Sequence, residues 1–249
     1  GAAGAAGTAG TGVAAGAAGG TPVDGLELFS FFVTSLEAML RLSGSENGFG
    51  GDLRYGEADG LSGADKICTE IAEYSMPGAA QKGWRAFLSA TQGGQGGGPV
   101  HAIERIGEGP WYDRLGRLVA ENRQGLLWDR PQSDPQIVND LPDEYGQGLL
   151  QFGDNHNVLT GSNKQGRLNS TDPAGTCQDW TSAVAAGTEW KTMAGHSWPF
   201  LSGTHWIAAR TVPGCAAGVN VTLSGPGFGT DYVGGGGGYG GIYCFALTP

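Results

Sequence analysis

Charged residues are scarce in this sequence, and basic residues are the scarcest. Only 15% of the 249 residues are charged, with 14 Lys and Arg against 24 Asp and Glu. The net charge of -10 makes nucleic acid an unfavourable partner, because binding to a phosphate backbone depends on clustered cations. Long apolar runs are also missing, since none reaches the ~18 residues needed to span a bilayer. The sequence therefore predicts neither nucleic-acid binding nor a membrane span.

The motifs of common catalytic sites are missing too. No HExxH, GxSxG or P-loop pattern occurs. The sequence also has no CxxC pair of the kind found in zinc ribbons and thioredoxin-like sites. His196 and Ser197 could form a triad with Asp179, but nothing in the sequence brings these residues together. A lone histidine is more often structural or solvated than catalytic. The sequence therefore predicts that this protein is not an enzyme.

Glycine is the residue present in excess. The chain contains 48 Gly and 12 Pro, a combined share near the low-complexity range. Seven Trp, nine Phe and seven Tyr nevertheless supply enough large apolar side chains for a core. This composition predicts a globular domain with long glycine-rich loops and at least one low-complexity segment.

Residues 1–20 form the low-complexity segment, which contains only Gly, Ala, Thr and one Val. Glycine recurs at every third position, and Val13 is the one break in that phase. A period of three is typical of closely packed polyproline-II-type helices, because only glycine fits their crowded axis. The tract either contacts other subunits in this way or is a flexible Gly/Ala linker. We expect the glycines of this phase to contact other subunits: Gly1, Gly4, Gly7, Gly10, Gly16 and Gly19.

Residues 21–48 are predicted to be an apolar helical linker. Thr34 or Ser35 is placed to cap a helix that stops before Gly44. The apolar side chains of this segment either pack on the protein's own domain or contact another copy of the chain. In the second alternative, which we carry forward, the contact residues are Phe29, Phe32 and Leu36.

Two further segments have clear periodicity. Residues 61–76 have apolar side chains at helical spacing, with Ser62 as N-cap and a stop at Pro77-Gly78. In residues 84–89, the apolar residues Trp84, Ala86 and Leu88 alternate with Arg85 and Phe87. This pattern is typical of a half-buried strand. The sequence therefore predicts a helix followed by a short strand.

Cysteine is used sparingly, at four positions. Cys68 lies in the middle of the predicted helix, and Cys244 lies in a short apolar strand at the end of the chain. Four cysteines allow three pairings, and we expect the nested one, Cys68–Cys244 with Cys177–Cys215. Because disulfides persist in oxidising compartments, the protein is predicted to be extracellular or at the cell surface.

Residues 129–171 are poorly periodic and rich in carboxylates. A connection of this length is either functional or an insertion. Clustered carboxylates can hold calcium, although no EF-hand spacing is present. The sequence predicts a solvated acidic loop and no cofactor, and the alternative is calcium binding with Asp140 and Asp154 as candidate ligands.

Several features together resemble one family. They are helix-borne Cys68, the strand from Trp84, the motif Cys177-x-x-Trp180-Thr-Ser, Cys215, and the final Tyr243-Cys244-Phe245. These features resemble a C-type-lectin-like domain, in particular the endostatin-like branch of secreted bacterial surface proteins, myxobacterial ones especially. The resemblance covers residues 49–249 and leaves the Gly-X-X tract outside.

The resemblance implies an α+β fold with small antiparallel sheets, flanking helices, long irregular loops and the same nested disulfides. Sugar-binding members of the family carry Glu-Pro-Asn or Gln-Pro-Asp together with Trp-Asn-Asp, which bind calcium and sugar hydroxyls. None of these motifs occurs here, and Val138-Asn139-Asp140 is not a Trp-Asn-Asp. Calcium-dependent sugar binding by that mechanism is therefore not implied.

Two functions fit these observations. In the first, which we predict, the chain is a self-assembling subunit of an extracellular filament or surface fibre. Residues 1–20 then form the inter-subunit core of a homo-oligomer, and the lectin-like domain is displayed outside. In the second, the chain is a carbohydrate-binding lectin or adhesin on a Gly/Ala stalk. Its surface glycans would stack on exposed tryptophans such as Trp111, Trp198 and Trp206, for which the alternative is core packing.

Overall fold

The computed structural model describes residues 1, 28–93, 97–185, 189–200, 203–222 and 231–248. The helices are α1 (Leu36–Ser43), α2 (Gly60–Ser75), α3 (Ala102–Arg105) and α4 (Arg123–Leu126). The strands are β1 (Phe31–Val33), β2 (Trp84–Ala86), β3 (Trp111–Tyr112), β4 (Leu118–Ala120), β5 (Asn157–Leu159), β6 (Met193–His196), β7 (Arg210–Thr211) and β8 (Gly238–Ala246). Within this described part of the chain, no helix has the length and apolar character needed to cross a membrane.

The last strand, β8, is the centre of a six-stranded sheet. The strand order is β1-β8-β5-β6-β7, and β2 also pairs with β8. β1 and β2 both run antiparallel to the second half of β8, while β5 runs parallel to its first half. β3 and β4 form a separate two-stranded antiparallel sheet. The expected mixture of helices and small sheets is confirmed, but the larger sheet is mixed and not purely antiparallel.

Both faces of the main sheet are covered. Successive side chains of a strand point to opposite faces, so Phe32 and Cys244 enter the core under α2. Phe31 and Phe245 enter a second core on the other side, which contains Trp206. A strand buried on both faces has a continuous apolar sequence without alternation, and β1 is of this kind.

The position of β1 corrects the predicted division of the chain at residue 48. β1 pairs with β8 over three residues, and Met39 of α1 is fully buried in the core under α2. Residues 28–48 are therefore part of the folded domain and not a linker that precedes it. The predicted helix is present as α1, with Ser35 as N-cap and Gly44 as C-cap in the left-handed conformation.

Helix α2 occupies the predicted segment with a different N-cap. The Asp59 side chain accepts a hydrogen bond from the Ser62 N–H at 2.8 Å, so Asp59 is the cap in place of Ser62. Ile67 and Ile71 of α2 are fully buried against the sheet. The helix therefore forms the cover over one face of β8.

Two nested disulfides tie the domain together. Cys68 of α2 is bonded to Cys244 of β8 across a sequence separation of 176 residues. Cys177 is bonded to Cys215 across 38 residues. The first disulfide therefore joins the covering helix directly to the central strand.

The segment from Cys177 to Trp180 is a left-handed helical turn. All four residues have positive φ, from 51° to 65°, a conformation that costs an L-residue roughly 1–2 kcal/mol. Asp179 accepts hydrogen bonds from the Thr91 N–H and hydroxyl, both at 2.6 Å. The Trp180 indole N–H donates to Ser89 O at 2.9 Å. These contacts hold the turn against the chain that follows β2.

Candidate functional site

The glycines predicted as subunit contacts lie almost entirely outside the described residues. Gly1 is described and exposed. The remaining positions fall in residues 2–27: Gly4, Gly7, Gly10, Gly16 and Gly19. Their role stays a prediction.

Phe29 and Phe32 are not available to another subunit. Both side chains are fully buried, and their ring centroids lie 5.1 and 5.0 Å from that of Trp84. Packing on the protein's own domain is therefore the correct alternative for these residues, because the core under α2 encloses them. Leu36 differs from them, since it is only partly buried.

Leu36 lines an open groove between α1 and the loop that follows residue 142. The volume of the groove is about 560 Å³. Its apolar lining residues are Leu36, Leu40, Tyr145, Leu149 and Phe152. The Phe152 side chain is 46% exposed, so the groove has an apolar rim as well as an apolar floor.

Further exposed apolar side chains surround the groove. Leu150 shares the turn Leu149–Phe152. Tyr74 lies under the guanidinium of Arg41 at 4.0 Å, and Leu115 packs against Gly146.

Among the described residues, eight large apolar side chains are exposed, and two of them, Tyr145 and Phe152, line the groove. Tyr74 and Leu115 contact residues beside it, and Leu150 adjoins its lining in the chain. We call these side chains and the apolar lining the apolar face: Leu36, Leu40, Tyr74, Leu115, Tyr145, Leu149, Leu150 and Phe152.

A buried glutamate fixes the two walls of the groove to each other. Glu144 accepts a hydrogen bond from the Ser35 hydroxyl at 2.6 Å and another from the Ser35 N–H at 3.0 Å. Because Ser35 is the N-cap of α1, the carboxyl group lies at the positive end of that helix. The groove is therefore formed by the fold itself, before any partner binds.

Burial raises the pKa of Glu144 to about 7, although the hydrogen bonds from Ser35 act in the opposite direction. The pKa in the folded state is therefore above that of an unfolded chain. This group contributes most to stability under acidic conditions, and its contribution is lost as the pH rises through about 7.

The tryptophans proposed for sugar stacking are in the core. Trp111, Trp198 and Trp206 are at most 4% exposed. Each indole N–H donates a hydrogen bond to an acceptor inside the protein. Core packing is therefore the correct alternative for all three.

Trp128 is an exposed tryptophan that the sequence did not single out. Its side chain is 55% exposed, and the carboxylate of the adjacent Asp129 is also exposed. Lys164 Nζ lies 3.8 Å from Asp129 Oδ1, and His205 Nε2 lies 4.0 Å from the same oxygen. An aromatic ring beside hydrogen-bonding groups is suited to a polyhydroxylated ligand. Nothing in the sequence indicated this exposure, because Leu126 and Leu127 precede Trp128, and an apolar run of this kind is typical of a buried strand.

The carboxylates predicted to bind calcium have other partners. Asp140 Oδ1 accepts a hydrogen bond from the Leu150 N–H at 3.0 Å. Asp154 Oδ1 lies 2.6 Å from His156 Nδ1. Across the described ranges, no group of three or more His, Cys, Asp or Glu side chains is arranged to hold a metal. The question of calcium, which the sequence raised only as the alternative to a solvated acidic loop, stays open to experiment.

Two histidines form a buried cluster at the β5–β6 end of the sheet. The ring centroids of His156 and His196 lie 4.4 Å apart in a T-shaped arrangement. His156 Nδ1 lies 2.6 Å from Asp154 Oδ1, and His196 Nδ1 lies 2.8 Å from Gly203 O. Burial lowers the pKa of His156 to about 4 and that of His196 to about 3. Both imidazoles are therefore neutral at physiological pH.

No protein-family model matches this chain, and a search of curated proteins also gave no match. The resemblance to C-type-lectin-like domains stays a proposal, and the function has to be argued from the surfaces of the molecule.

Proposed function

We propose that this protein is a self-assembling extracellular surface protein whose C-type-lectin-like domain contacts a second copy through the apolar face. The apolar groove and the exposed Tyr, Phe and Leu side chains beside it carry this proposal. Single exposed apolar residues are normal, whereas contiguous patches mark interaction sites. Tyr, Phe and Arg are also the residue types enriched in the centre of protein interfaces.

The charges beside the groove favour a second copy of the same chain as the partner. Glu37 and Arg41 lie one turn apart on α1, next to Leu36 and Leu40. Two α1 helices packed antiparallel about a two-fold axis would place Glu37 of each copy beside Arg41 of the other. The apolar and charged groups of this surface therefore complement themselves.

The disulfides and the N-terminal tract complete the proposal. Two disulfides support an oxidising, extracellular location. A two-fold contact closes at the dimer, so growth into a filament needs a second contact. The Gly-X-X tract is suited to that role because its glycine period permits close packing of sister strands.

Removing two apolar side chains from the face is expected to weaken assembly. In the double variant Leu36→Ser and Phe152→Ser, the dissociation constant should rise at least about tenfold, since burial of two large side chains contributes more than ~1.4 kcal/mol. Sedimentation velocity of the full chain over a concentration series measures this change.

The control for this experiment is Val184→Ser. Val184 is also an exposed apolar residue, with 58% of its surface accessible, but it lies outside the apolar face. Assembly of this variant should equal that of the wild type, and circular dichroism should show the native fold in both variants. A wild-type chain that sediments as a monomer throughout the series would contradict the proposal, as would assembly that the double variant retains.

Glycan binding is a second candidate function, and Trp128 is the observation that favours it. The proposed ligand is an oligosaccharide that stacks on the indole and hydrogen-bonds Asp129 and Lys164. After a glycan array identifies a ligand, Trp128→Ala should lower its affinity at least about tenfold, because stacking on an aromatic ring is lost. Tyr74→Ala, which removes an equally exposed aromatic ring from the apolar face, should leave the affinity unchanged. If the wild-type chain binds no glycan on the array, glycan binding is excluded as a function.

A further inference from the structure

Among the described residues, three buried side-chain atoms lack a hydrogen-bond partner, and all three belong to the histidine cluster. They are His156 Nε2, Asn157 Oδ1 and His196 Nε2. Asn157 follows His156 in the chain and lies directly opposite His196 in the β5–β6 pairing. Because buried polar atoms nearly always have a partner, the two unpartnered Nε2 atoms on these contacting rings indicate a bound species.

All three atoms are acceptors. Gly203 O can only accept, so the proton of the neutral His196 ring is on Nδ1 and its Nε2 carries a lone pair. The Asp154 carboxylate fixes the His156 ring in the same tautomer. The Asn157 amide donates to Gly236 O at 3.1 Å, which leaves Oδ1 as an acceptor. Each Nε2 therefore offers a lone pair that a metal cation can accept.

The surroundings of the two rings are those of metal-binding histidines. Such histidines almost always donate their second ring N–H to a carboxylate or a backbone carbonyl, which orients the ring. His156 does so to Asp154 and His196 to Gly203. Phe200 stacks on His156 with ring centroids 4.4 Å apart, and Trp198 lies 5.1 Å away, so aromatic rings restrict the access of water.

We propose that His156 and His196 bind one transition-metal ion of the zinc class through their Nε2 atoms. Neutral imidazole nitrogens are ligands that zinc and its neighbours in the first transition row prefer, with metal–nitrogen distances of about 2.0–2.1 Å. Asn157, the next residue in the chain after His156, has a further unpartnered oxygen, and the negative charge of Asp154 offsets the positive charge of the nearby Arg210. Both rings are buried, so this proposal does not rest on assembly through the exposed apolar face.

Titration of the metal-free full chain with zinc chloride tests the proposal by calorimetry. We expect one zinc ion per chain, and at least about 100-fold weaker binding in His156→Gln and in His196→Gln, since each loses a ligand. His101→Gln is the matched control, because His101 Nδ1 already accepts a hydrogen bond from the Leu168 N–H. Its zinc affinity should equal that of the wild type.

A second variant tests the orienting carboxylate without removing a ligand. Asp154→Asn should weaken zinc binding about 10- to 100-fold, the usual effect of losing such a partner. Its control is Asp129→Asn, which changes an exposed aspartate beside His205 and should leave the zinc affinity unchanged.

A measurement on the wild-type chain keeps the test decisive if the histidine variants do not fold. Zinc should move the Nε2 nitrogen resonances of two of the four histidines, assigned to His156 and His196, and leave that of His101 in place. Absence of zinc binding by the wild-type chain overturns the proposal. Binding that persists in both His→Gln variants, or that moves His101 in place of the buried pair, overturns it equally.

Discussion

Gly195→Ala is expected to prevent the domain from folding, or to lower its free energy of unfolding by more than about 4 kcal/mol. Gly195 lies in β6, and the backbone of the following segment crosses directly over it. A β-carbon at this position would lie 1.6 Å from Trp206 O and 2.8 Å from Ile207 N. These are backbone atoms, so no flexible side chain can move to relieve the clash. Guanidinium chloride denaturation followed by circular dichroism measures the change.

Gly125→Ala is the control for this substitution. Gly125 lies in α4, where the nearest atom to an added β-carbon is the Ala120 Cβ at an ordinary 3.5 Å. Alanine is favoured over glycine in a helix by about 0.5–1 kcal/mol, so this variant should be as stable as the wild type or slightly more stable. A Gly195→Ala protein within about 1 kcal/mol of the wild type would show that the crossing segment does not pack as described.

Replacing both Cys68 and Cys244 with alanine is expected to lower the free energy of unfolding by about 2–5 kcal/mol. The bond joins α2 to β8 across 176 residues, so its loss releases the largest closed loop of the chain in the unfolded state. Both sulfur atoms are fully buried, and alanine also leaves a small cavity between the helix and the sheet. Denaturant titration of the double variant measures the loss.

The second disulfide provides the comparison. The pair Cys177→Ala and Cys215→Ala opens a loop of only 38 residues, so the chain-entropy part of its effect should be smaller by about 1 kcal/mol. An inner pair whose removal costs as much as the outer pair would show that local packing, and not loop closure, controls the stabilisation by these bonds.

Elements that depend on near neighbours could be predicted from the sequence. α2 has apolar residues at helical spacing and a Pro-Gly stop, and α1 has a serine before it and a glycine after it. The predicted strand from Trp84 is present as β2, although it is shorter than residues 84–89. The N-cap of α2 was assigned wrongly because Asp59 and Ser62 are both good capping residues.

The apolar face could not be predicted, because it joins distant parts of the chain. Ser35 and Glu144, whose contact fixes the groove, are 109 residues apart. The turn with Phe152 lies in a region whose sequence has no regular period, so nothing marked its side chains as neighbours of Leu36. The histidine cluster has the same origin, since the pairing of β5 with β6 brings His156 and His196 together.

Composition and spacing by themselves determined the class of the protein: a glycine-rich, acidic chain with a core of aromatic residues, a cysteine-bearing helix and a Gly-X-X tract. Tertiary structure alone decided which aromatic side chains face solvent. Phe29, Phe32 and Trp206 are enclosed, whereas Trp128 and Phe152 are exposed. The physical reason is that the exposure of a side chain depends on which distant residues pack over it. The hydrophobicity of the residue itself does not determine this.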